Sequence, residues 1–287
     1  MTDHLDHKLD TNEKVSVILL TVNRFEYLDE STSSLLAQTY ANWELIIIQD
    51  GNNIDVTSKI KSLLERDKRI FFYQRPNLNS IGSSINYAIK KATGKYIAIL
   101  DDDDIWIDRK KLQEQVSLFQ TNNKLSLAAS WAIGIDKNGM QISEIKKSND
   151  IEFIKKTCLI FNPIIHSSAL YSKELAYKVG LYNENIPDYQ DWDFVLKVLQ
   201  EGEINIIPKF MIGYRMWDGN STSNKVASMI KSTYMIIKSH RKYFPNAYLA
   251  FIYYFFFLIY SKAPVRIQKI TTKYISVLKK NLYNKYS

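Results

Sequence analysis

The stretch YIAILDDDD, residues 96–104, joins a short apolar run to four adjacent aspartates. A continuously apolar run of this length is typical of a strand that is buried on both faces of a parallel sheet. Three similar runs precede it at nearly equal spacing, at residues 15–20, 44–48 and 70–73. Helical patterns fill the gaps between them, at residues 29–38, 55–66 and 80–92. This βαβαβαβ order predicts an α/β fold with a mostly parallel central sheet flanked by helices.

The four aspartates, Asp101 to Asp104, are called the aspartate run below. In a parallel sheet the loops that follow the strands share one edge, where ligands bind. Adjacent carboxylates at a buried strand end repel one another, and removing them from water is costly unless a cation compensates. Mg²⁺ and Mn²⁺ prefer oxygen ligands and keep positions for phosphate oxygens, so the run indicates a metal site for a diphosphate. The alternative is a solvated loop whose last residue, Asp104, caps the next helix.

The pattern after the aspartate run is less regular. We expect a helix over residues 109–120 with Asp108 as its N-cap, a strand over 125–135 and a turn at 136–139. A strand over 167–171 follows, and then a helix that Ser172 caps and Gly180 ends. A last helix of this region begins near Trp192 and ends at Gly202.

Composition fits one large α/β domain with an appendage. The 287 residues are 46% hydrophobic and 24% charged, which allows a sizeable core and argues against disorder. Cys158 is the only cysteine, so no internal disulfide forms, and we interpret it as a small buried side chain. Residues 1–13 contain too little apolar sequence for a signal peptide, so we expect a cytoplasmic location.

Charge is distributed unevenly along the chain. The net charge is +8, yet no Asp or Glu follows Asp218, while twelve Lys or Arg lie between Lys225 and Lys285. Within this basic tail, residues 248–260 read YLAFIYYFFFLIY. As a helix this run reaches about 20 Å, short of the roughly 30 Å of a bilayer core. We expect peripheral attachment to an anionic membrane surface through residues 241–287. The alternatives are packing on the rest of the protein or a dimer contact.

Several motifs occur in an order that resembles one known family. They read VSVILLTVNR at 15–24, LAQTY at 36–40, WELIIIQDG at 43–51 and GKYIAILDDDDIW at 94–106. This order is similar to that of the inverting family-2 glycosyltransferases, which are built on the GT-A fold. The resemblance covers about residues 14–217 and is weakest over 110–160. It implies a GT-A fold with a C-terminal helical extension.

The resemblance implies a nucleotide-sugar site at the edge of the sheet. Asp50 would accept a hydrogen bond from the base, and the loop of Thr21, Val22, Asn23 and Arg24 would pack around base and ribose. Val22 replaces the family's usual tyrosine. Asp101, Asp102 and Asp103 cover its D-x-D signature, with Asp101 on the ribose side and Asp103 as the first choice for metal ligation. Asp101 is the second metal-ligand candidate.

The segment PDYQDWD, residues 187–193, is similar to the family's acidic segment around its catalytic base. By this resemblance Asp191 takes the proton from the acceptor hydroxyl. Asp191 is alternatively the N-cap of the following helix. Gln190 replaces the family's customary glutamate.

Other positions match the family less closely. Arg215 corresponds to a basic position near the diphosphate, with a surface arginine as the alternative. Trp217 stands where many relatives carry histidine, and Ile85 stands where the family has an arginine. We interpret His166 as structural rather than functional.

The sequence therefore predicts three regions: a tail over 1–13, a GT-A domain over 14–218 and a basic, aromatic helical region over 219–287. The domain divides into a nucleotide-binding half, 14–104, and an acceptor half, 105–218. We expect metal-dependent transfer, with inversion, from a nucleotide-diphospho-sugar to a glycan or lipid-linked acceptor. A UDP-sugar is favoured, Mn²⁺ or Mg²⁺ is the expected cofactor, and the setting is cell-surface polysaccharide or glycolipid synthesis.

We expect the protein to lie on the inner face of the cytoplasmic membrane, and a homodimer is allowed.

One alternative function is a catalytically inactive, glycosyltransferase-like protein that only binds its ligand. A nucleic-acid-binding protein is a weaker one, because the acidic body would repel a polyanion. A dehydrogenase is disfavoured, because residues 21–24 lack a glycine-rich diphosphate cradle.

Overall fold

The computed structural model describes residues 13–22, 24–76, 80–216 and 226–262, and the four apolar runs form the parallel half of its nine-stranded sheet. The strands are β1 (Val15–Thr21), β2 (Trp43–Asp50), β3 (Ile70–Arg75) and β4 (Tyr96–Ile99). The helices between them are α1 (Leu28–Leu36), α2 (Ile54–Leu64) and α3 (Ile81–Lys91). The sheet order is β3-β2-β1-β4, with each neighbour parallel. The predicted βαβαβαβ half is confirmed.

The second half of the sheet mixes strand directions. Its strands are β5 (Ile105–Trp106), β6 (Leu125–Ile135), β7 (Gln141–Ile145), β8 (Leu170–Ser172) and β9 (Glu203–Arg215). Strand β8 lies antiparallel between β4 and β6, whereas β9 runs parallel to β6. The helices are α4 (Lys111–Thr121), α5 (Ile151–Thr157), α6 (Lys173–Lys178), α7 (Gln190–Glu201), α8 (Val226–His240) and α9 (Ala247–Lys262). A 3₁₀ turn, His166–Ser168, precedes β8.

Alternate side chains of the central strands enter two separate cores. Ile18 and Ile46 face α3 and α7, where Ile85 and Phe194 are buried. Their neighbours in sequence, such as Leu45, face α1, α2 and α4 on the other side. The period-2 alternation of a strand produces this division, and it explains why the runs are apolar at every position.

The C-terminal helices share the first of these cores. Ile236 and Ile237 of α8 are fully buried in it, together with Ala250 of α9. His240 Nε2 lies 2.8 Å from Asp193 Oδ1 and thereby links α8 to α7. Because residues 217–225 lie outside the described ranges, the domain boundary near 218 stays a prediction. No helix that the structure describes combines the length and apolarity needed to cross a bilayer.

The structure differs from two predictions and one alternative at the ends of helices and strands. Asp108 does not cap α4: its Oδ1 accepts from the N–H of Lys110, which itself precedes the helix. Helix α7 begins at Gln190, so Asp191 lies inside its first turn rather than at the N-cap. The strand expected at 167–171 is shorter, because residues 166–168 form the 3₁₀ turn. Ser172 caps α6 as predicted, accepting from Leu175 N at 3.0 Å.

A buried glutamate ties the amino ends of the central strands together. Glu44, 3% exposed, accepts hydrogen bonds from Ser16 Oγ, Lys14 Nζ and the backbone N–H and hydroxyl of Thr93. Burial alone opposes the charged form, but these donors together hold the pKa of Glu44 below its ordinary value of 4.5. The carboxylate therefore joins β1, β2 and the turn before β4.

We expect Glu44→Gln to lower the free energy of unfolding at neutral pH by about 1 to 3 kcal/mol, because buried donors lose a charged acceptor. Since the folded pKa is depressed, the contribution is fully present above pH 4.5 and fades as pH falls through the folded value. Urea unfolding of both proteins across this range measures the difference, with exposed Glu65→Gln as the control. A difference that does not shrink on acidification would contradict this account.

Candidate active site

The carboxyl ends of β1, β2 and β4 meet at one edge of the sheet, as the sequence predicted. Thr21 pairs in register with Gln49, and Leu100 N donates to Ile18 O at 3.0 Å. Asp50, the last residue of β2, is 3% exposed and lies opposite Arg75 of β3. The loop after β1 therefore lies between Asp50 and the aspartate run.

The aspartate run forms a tight turn whose backbone is held from two sides. Ser31 Oγ of α1 donates to the carbonyls of Asp102, at 3.1 Å, and Asp104, at 2.6 Å. Asp101 N donates to Ser167 Oγ at 3.2 Å. Asp102, Asp103 and Asp104 are buried, and only Asp101 has a substantially exposed carboxylate. The run is consequently a fixed part of the fold, and the solvated-loop alternative does not describe it.

Arg24 brings positive charge to the middle of the run. Its Nη1 donates to Asp103 Oδ2 at 2.6 Å, and its Nη2 donates to Asp102 Oδ1. Burial works against the guanidinium charge, but the carboxylates, first of all Asp102, outweigh it and raise the pKa of Arg24. Thr21 Oγ1 donates to Arg24 O at 2.8 Å and fixes the loop that carries this arginine. Val22 is half-buried beside them, and Asn23 lies outside the described residues.

Arg215, the last residue of β9, donates hydrogen bonds to the aspartate run. Its backbone N–H donates to Asp104 Oδ1 at 2.9 Å and its Nε donates to Asp103 O at 2.8 Å. The remaining guanidinium nitrogens donate to the carbonyls of residues 136 and 137 and to the carboxylate of Glu30. The side chain is 1% exposed, so the surface-arginine alternative is wrong. The predicted donor-binding role of Arg215 remains a prediction.

Positive charge from the chain does not fully compensate the run. The Oδ2 atoms of Asp102 and Asp104 are buried and accept no hydrogen bond from any described residue. Burial raises the pKa of Asp102 to about 7, with Arg24 opposing the rise and the charges of its neighbours adding to it. Burial, and then the charges of Asp101 and Asp103, raise the pKa of Asp104 well above its ordinary range. The negative charge of these two buried carboxylates is thus compensated only in part.

The donor set at this edge fits a hard divalent cation that brings further ligands with it. Within the described residues, no three His, Cys, Asp or Glu side chains converge as a complete metal cage. Mg²⁺ is usually held by one or two carboxylates together with substrate phosphates, and such a site needs no cage. The partly exposed carboxylate of Asp101 and the adjacent carboxylate of Asp103 match that requirement.

Asp191 lies in the first turn of α7, where the helix dipole stabilises a carboxylate. Asn162 Nδ2 donates to Asp191 Oδ2 at 2.6 Å and fixes the side chain. The residue before the helix, Tyr189, has φ +62°, a left-handed conformation that costs a non-glycine residue roughly 1–3 kcal/mol. Gln190, where a glutamate was expected, donates to Pro187 O at 2.7 Å and keeps this turn closed.

His166 is a largely buried histidine beside the aspartate run. Its Nδ1 lies 3.7 Å from Asp101 Oδ1, and its Nε2 lies 3.0 Å from the hydroxyl of Tyr182. Burial favours the neutral ring, but Asp101 and then Asp191 outweigh it and raise the pKa of His166. The imidazole therefore lies within the electrostatic influence of both carboxylates, which the sequence interpretation of a structural histidine did not anticipate.

Asn162 and Glu30 are neighbours of the site that sequence reasoning missed, whereas the parallel order of the strands already placed Arg75 at this edge. Arg75 donates from Nη1 and Nη2 to the hydroxyls of Ser84 and Ser83, both at 3.2 Å, at the start of α3. Ile85 is buried in the first core and offers no polar group to a ligand. Trp217 lies outside the described residues.

Residues 16–180 match the family described as glycosyl transferase family 2. An uncharacterized glycosyltransferase of Methanocaldococcus jannaschii is 31% identical over 86% of this chain and 87% of its own length. An O-antigen biosynthesis glycosyltransferase of Escherichia coli, WbnJ, is 25% identical over 83% of this chain and 94% of its own. Three longer glycosyltransferases of Rickettsia species also match, and the chain spans about a third of each.

Two solved structures share the fold. The mannosyltransferase PcManGT of Pyrobaculum calidifontis, in complex with GDP-Man and Mn²⁺, has a TM-score of 0.65, with 12% identity, over 98% of this chain and 85% of its own. S. aureus TarS in complex with UDP-GlcNAc has a TM-score of 0.62, with 18% identity, over 79% of this chain and 67% of its own. The GT-A architecture of the sheet is thereby confirmed.

Arg215→Met tests whether this arginine holds the aspartate run. We expect the free energy of unfolding without ligand to fall by about 1 to 3 kcal/mol, because buried backbone carbonyls lose their donors. Arg66→Met, which removes a surface ion pair to Asp29, serves as the control and should cost about 0 to 1 kcal/mol. Chemical denaturation measures both. If Arg215→Met leaves stability unchanged, the arginine does not hold the run.

Proposed function

The chain belongs to glycosyl transferase family 2, and from that premise we propose that it moves a sugar from a nucleotide-diphospho-sugar to an acceptor hydroxyl with inversion. The observation that carries the proposal is the aspartate run itself: three buried carboxylates and the partly exposed Asp101 stand together where the parallel strand β4 ends, and their charge is only partly compensated. A second carboxylate, Asp191, lies in the first turn of α7, and its charge contributes to the raised pKa of His166. An acidic site for a cation and a separate base are the two parts that such a transfer requires.

The donor would lie along the loop after β1. Asp50 would accept a hydrogen bond from the base, while Thr21, Val22, Asn23 and Arg24 pack around base and ribose. Asp101 and Asp102 would contact the ribose side, and Arg215 would act near the diphosphate through the turn it supports. The complexes of TarS with UDP-GlcNAc and PcManGT with GDP-Man support a nucleotide-sugar, and we favour a UDP-sugar.

Asp103 and Asp101 would hold a Mn²⁺ or Mg²⁺ ion together with phosphate oxygens of the donor. When bound, the ion would offset the charge that develops on the departing diphosphate. Arg24 is ion-paired with Asp102 and Asp103, so it would add a second positive charge beside the metal and the diphosphate. The Mn²⁺ in the PcManGT structure supports this choice of metal.

Asp191 would act as the general base on the acceptor side. Asn162 fixes its Oδ2, so Oδ1 is the oxygen that can take the proton of the attacking hydroxyl. The hydroxyl oxygen forms the new bond to the anomeric carbon while the bond to the diphosphate oxygen breaks. Attack from the face opposite the leaving group inverts the anomeric configuration.

We further propose that the product belongs to cell-surface polysaccharide or glycolipid synthesis. The similarity to WbnJ, an O-antigen biosynthesis enzyme, supports this setting. The acceptor would be a glycan or a lipid-linked glycan at the inner face of the cytoplasmic membrane. Residues 241–287 would attach the protein there, and a homodimer is compatible with this arrangement.

Thermal unfolding with a panel of nucleotide-sugars, with and without Mn²⁺, tests the donor site. We expect one nucleotide class to raise the melting temperature only when Mn²⁺ is present. At about a hundred times the dissociation constant, such binding stabilises by about 2.7 kcal/mol. Asp103→Asn should abolish the metal-dependent part, whereas exposed Asp55→Asn should keep it. A full shift in Asp103→Asn would remove Asp103 from the metal site.

Asp191→Asn should lower the rate of sugar transfer by about 10² to 10⁴-fold while donor binding persists, because only the proton acceptor is lost. Asn162→Ala should lower kcat by about ten- to a hundredfold at an unchanged donor KM, since it loses a hydrogen bond to a charged group. Steady-state transfer assays measure both, and exposed Asn185→Ala is the matched control. Normal turnover in Asp191→Asn would eliminate this residue as the base.

A further inference from the structure

Helix α9 exposes a continuous apolar face. Its outward side chains, each between 49% and 64% exposed, are Tyr248, Ile252, Phe255, Phe256 and Ile259. Steps of three and four residues place them on one side of a helix, and this face is called the α9 stripe below. Large exposed apolar patches on a folded protein mark a surface that binds a partner or a membrane.

The opposite side of α9 is packed, so the stripe is held in a fixed orientation. Ala250 is fully buried in the first core. The ring of Tyr253 contacts Phe161 at a centroid distance of 5.8 Å, and Tyr254 contacts Tyr234 of α8 at 5.7 Å. One face of α9 therefore packs on the protein, and the opposite face is exposed.

This packing places α9 beside the proposed catalytic base. Phe161, which Tyr253 contacts, directly precedes Asn162, and Asn162 donates to Asp191. Asn246, at the start of α9, donates to Lys156 O at 3.4 Å, next to the same segment. A membrane that covers the stripe would therefore lie one helix thickness from the segment that holds Asp191.

The charge around the stripe identifies the kind of surface. Lys238, Arg241 and Lys242 are exposed at the junction of α8 and α9, and no Asp or Glu follows Asp218 in the sequence. Tyr243, 65% exposed, lies among them. A partner that is apolar inside and anionic at its surface matches both features, and a phospholipid leaflet has that chemistry. At 16 residues α9 is about 24 Å long, so it would lie in the interface rather than span it.

We propose that the α9 stripe inserts into the interface of an anionic membrane and thereby presents Asp191 to a lipid-linked acceptor. This proposal rests on the proposed function: it names the side chains of the membrane attachment proposed there for residues 241–287, and its choice of acceptor follows from the proposed glycosyl transfer. Tyr248, Ile252, Phe255, Phe256 and Ile259 supply the apolar insertion, and the neighbouring cations bind the headgroups.

Sedimentation of the full chain with vesicles tests the contact. We expect the protein to bind vesicles of phosphatidylglycerol and phosphatidylcholine in equal parts, and to bind pure phosphatidylcholine weakly. Phe255→Ser with Phe256→Ser should weaken binding to the anionic vesicles about tenfold or more, because two inserted rings are lost. Ile252→Ser with Ile259→Ser provides a second variant of the same face. Met140→Ser with Ile142→Ser, two exposed apolar residues of the β6–β7 hairpin, is the matched control.

The Mn²⁺-dependent thermal shift with the donor, measured on the same variants, separates this proposal from the proposed transfer. Normal donor binding with lost vesicle binding supports the membrane role of the stripe. Unchanged vesicle binding in both stripe variants overturns it and assigns the contact to the basic residues alone. Analytical ultracentrifugation adds a further outcome: a dimer that the stripe variants convert to monomer, without vesicle binding by the original chain, also overturns it.

Discussion

Buried negative charge is the constraint on which the functional edge of this protein depends. Four carboxylates follow one another at the end of β4, and three of them are removed from solvent. Arg24 reaches them from the loop after β1, and Arg215 reaches their backbone from the end of β9. Two elements that are far apart in the sequence therefore hold one turn, and among the described residues they leave the Oδ2 atoms of Asp102 and Asp104 without a hydrogen-bond donor.

The sequence was sufficient for the parallel half of the fold because its signals are local. Continuous apolar runs and evenly spaced helices specify the strands, and parallel pairing then brings Asp50 and the aspartate run to one edge. The sequence did not predict strand β9, because Pro208 and Gly213 interrupt its pattern of apolar residues. The alternative of an N-cap at Asp191 does not hold, because helix α7 already begins after Tyr189. Tyr189 adopts a left-handed conformation that its residue type does not favour, so the sequence did not indicate this start.

The contacts of Arg215 and Asn162 could not be predicted from the sequence, for a different reason. Arg215 donates mainly to backbone carbonyls, which every residue carries, so no residue pattern identifies its partners. Asn162 and Asp191 are 29 positions apart and meet only through the packing of α5 and α7. In α9 almost every residue is apolar, so periodicity could not choose its packed side. The contact between Tyr253 and Phe161 determines it.

The long separation between Asp104 and Arg215, 111 positions, also has a consequence for the way the chain matures. Translation proceeds from the amino end, and domains tend to fold in that order. The four parallel strands leave the ribosome while the arginine that supports their charged turn is still to be made. A nascent or truncated chain that stops before β9 carries the aspartates without this support. Completion of the edge that carries the aspartate run is therefore coupled to completion of the sheet, which makes this turn a late product of biosynthesis.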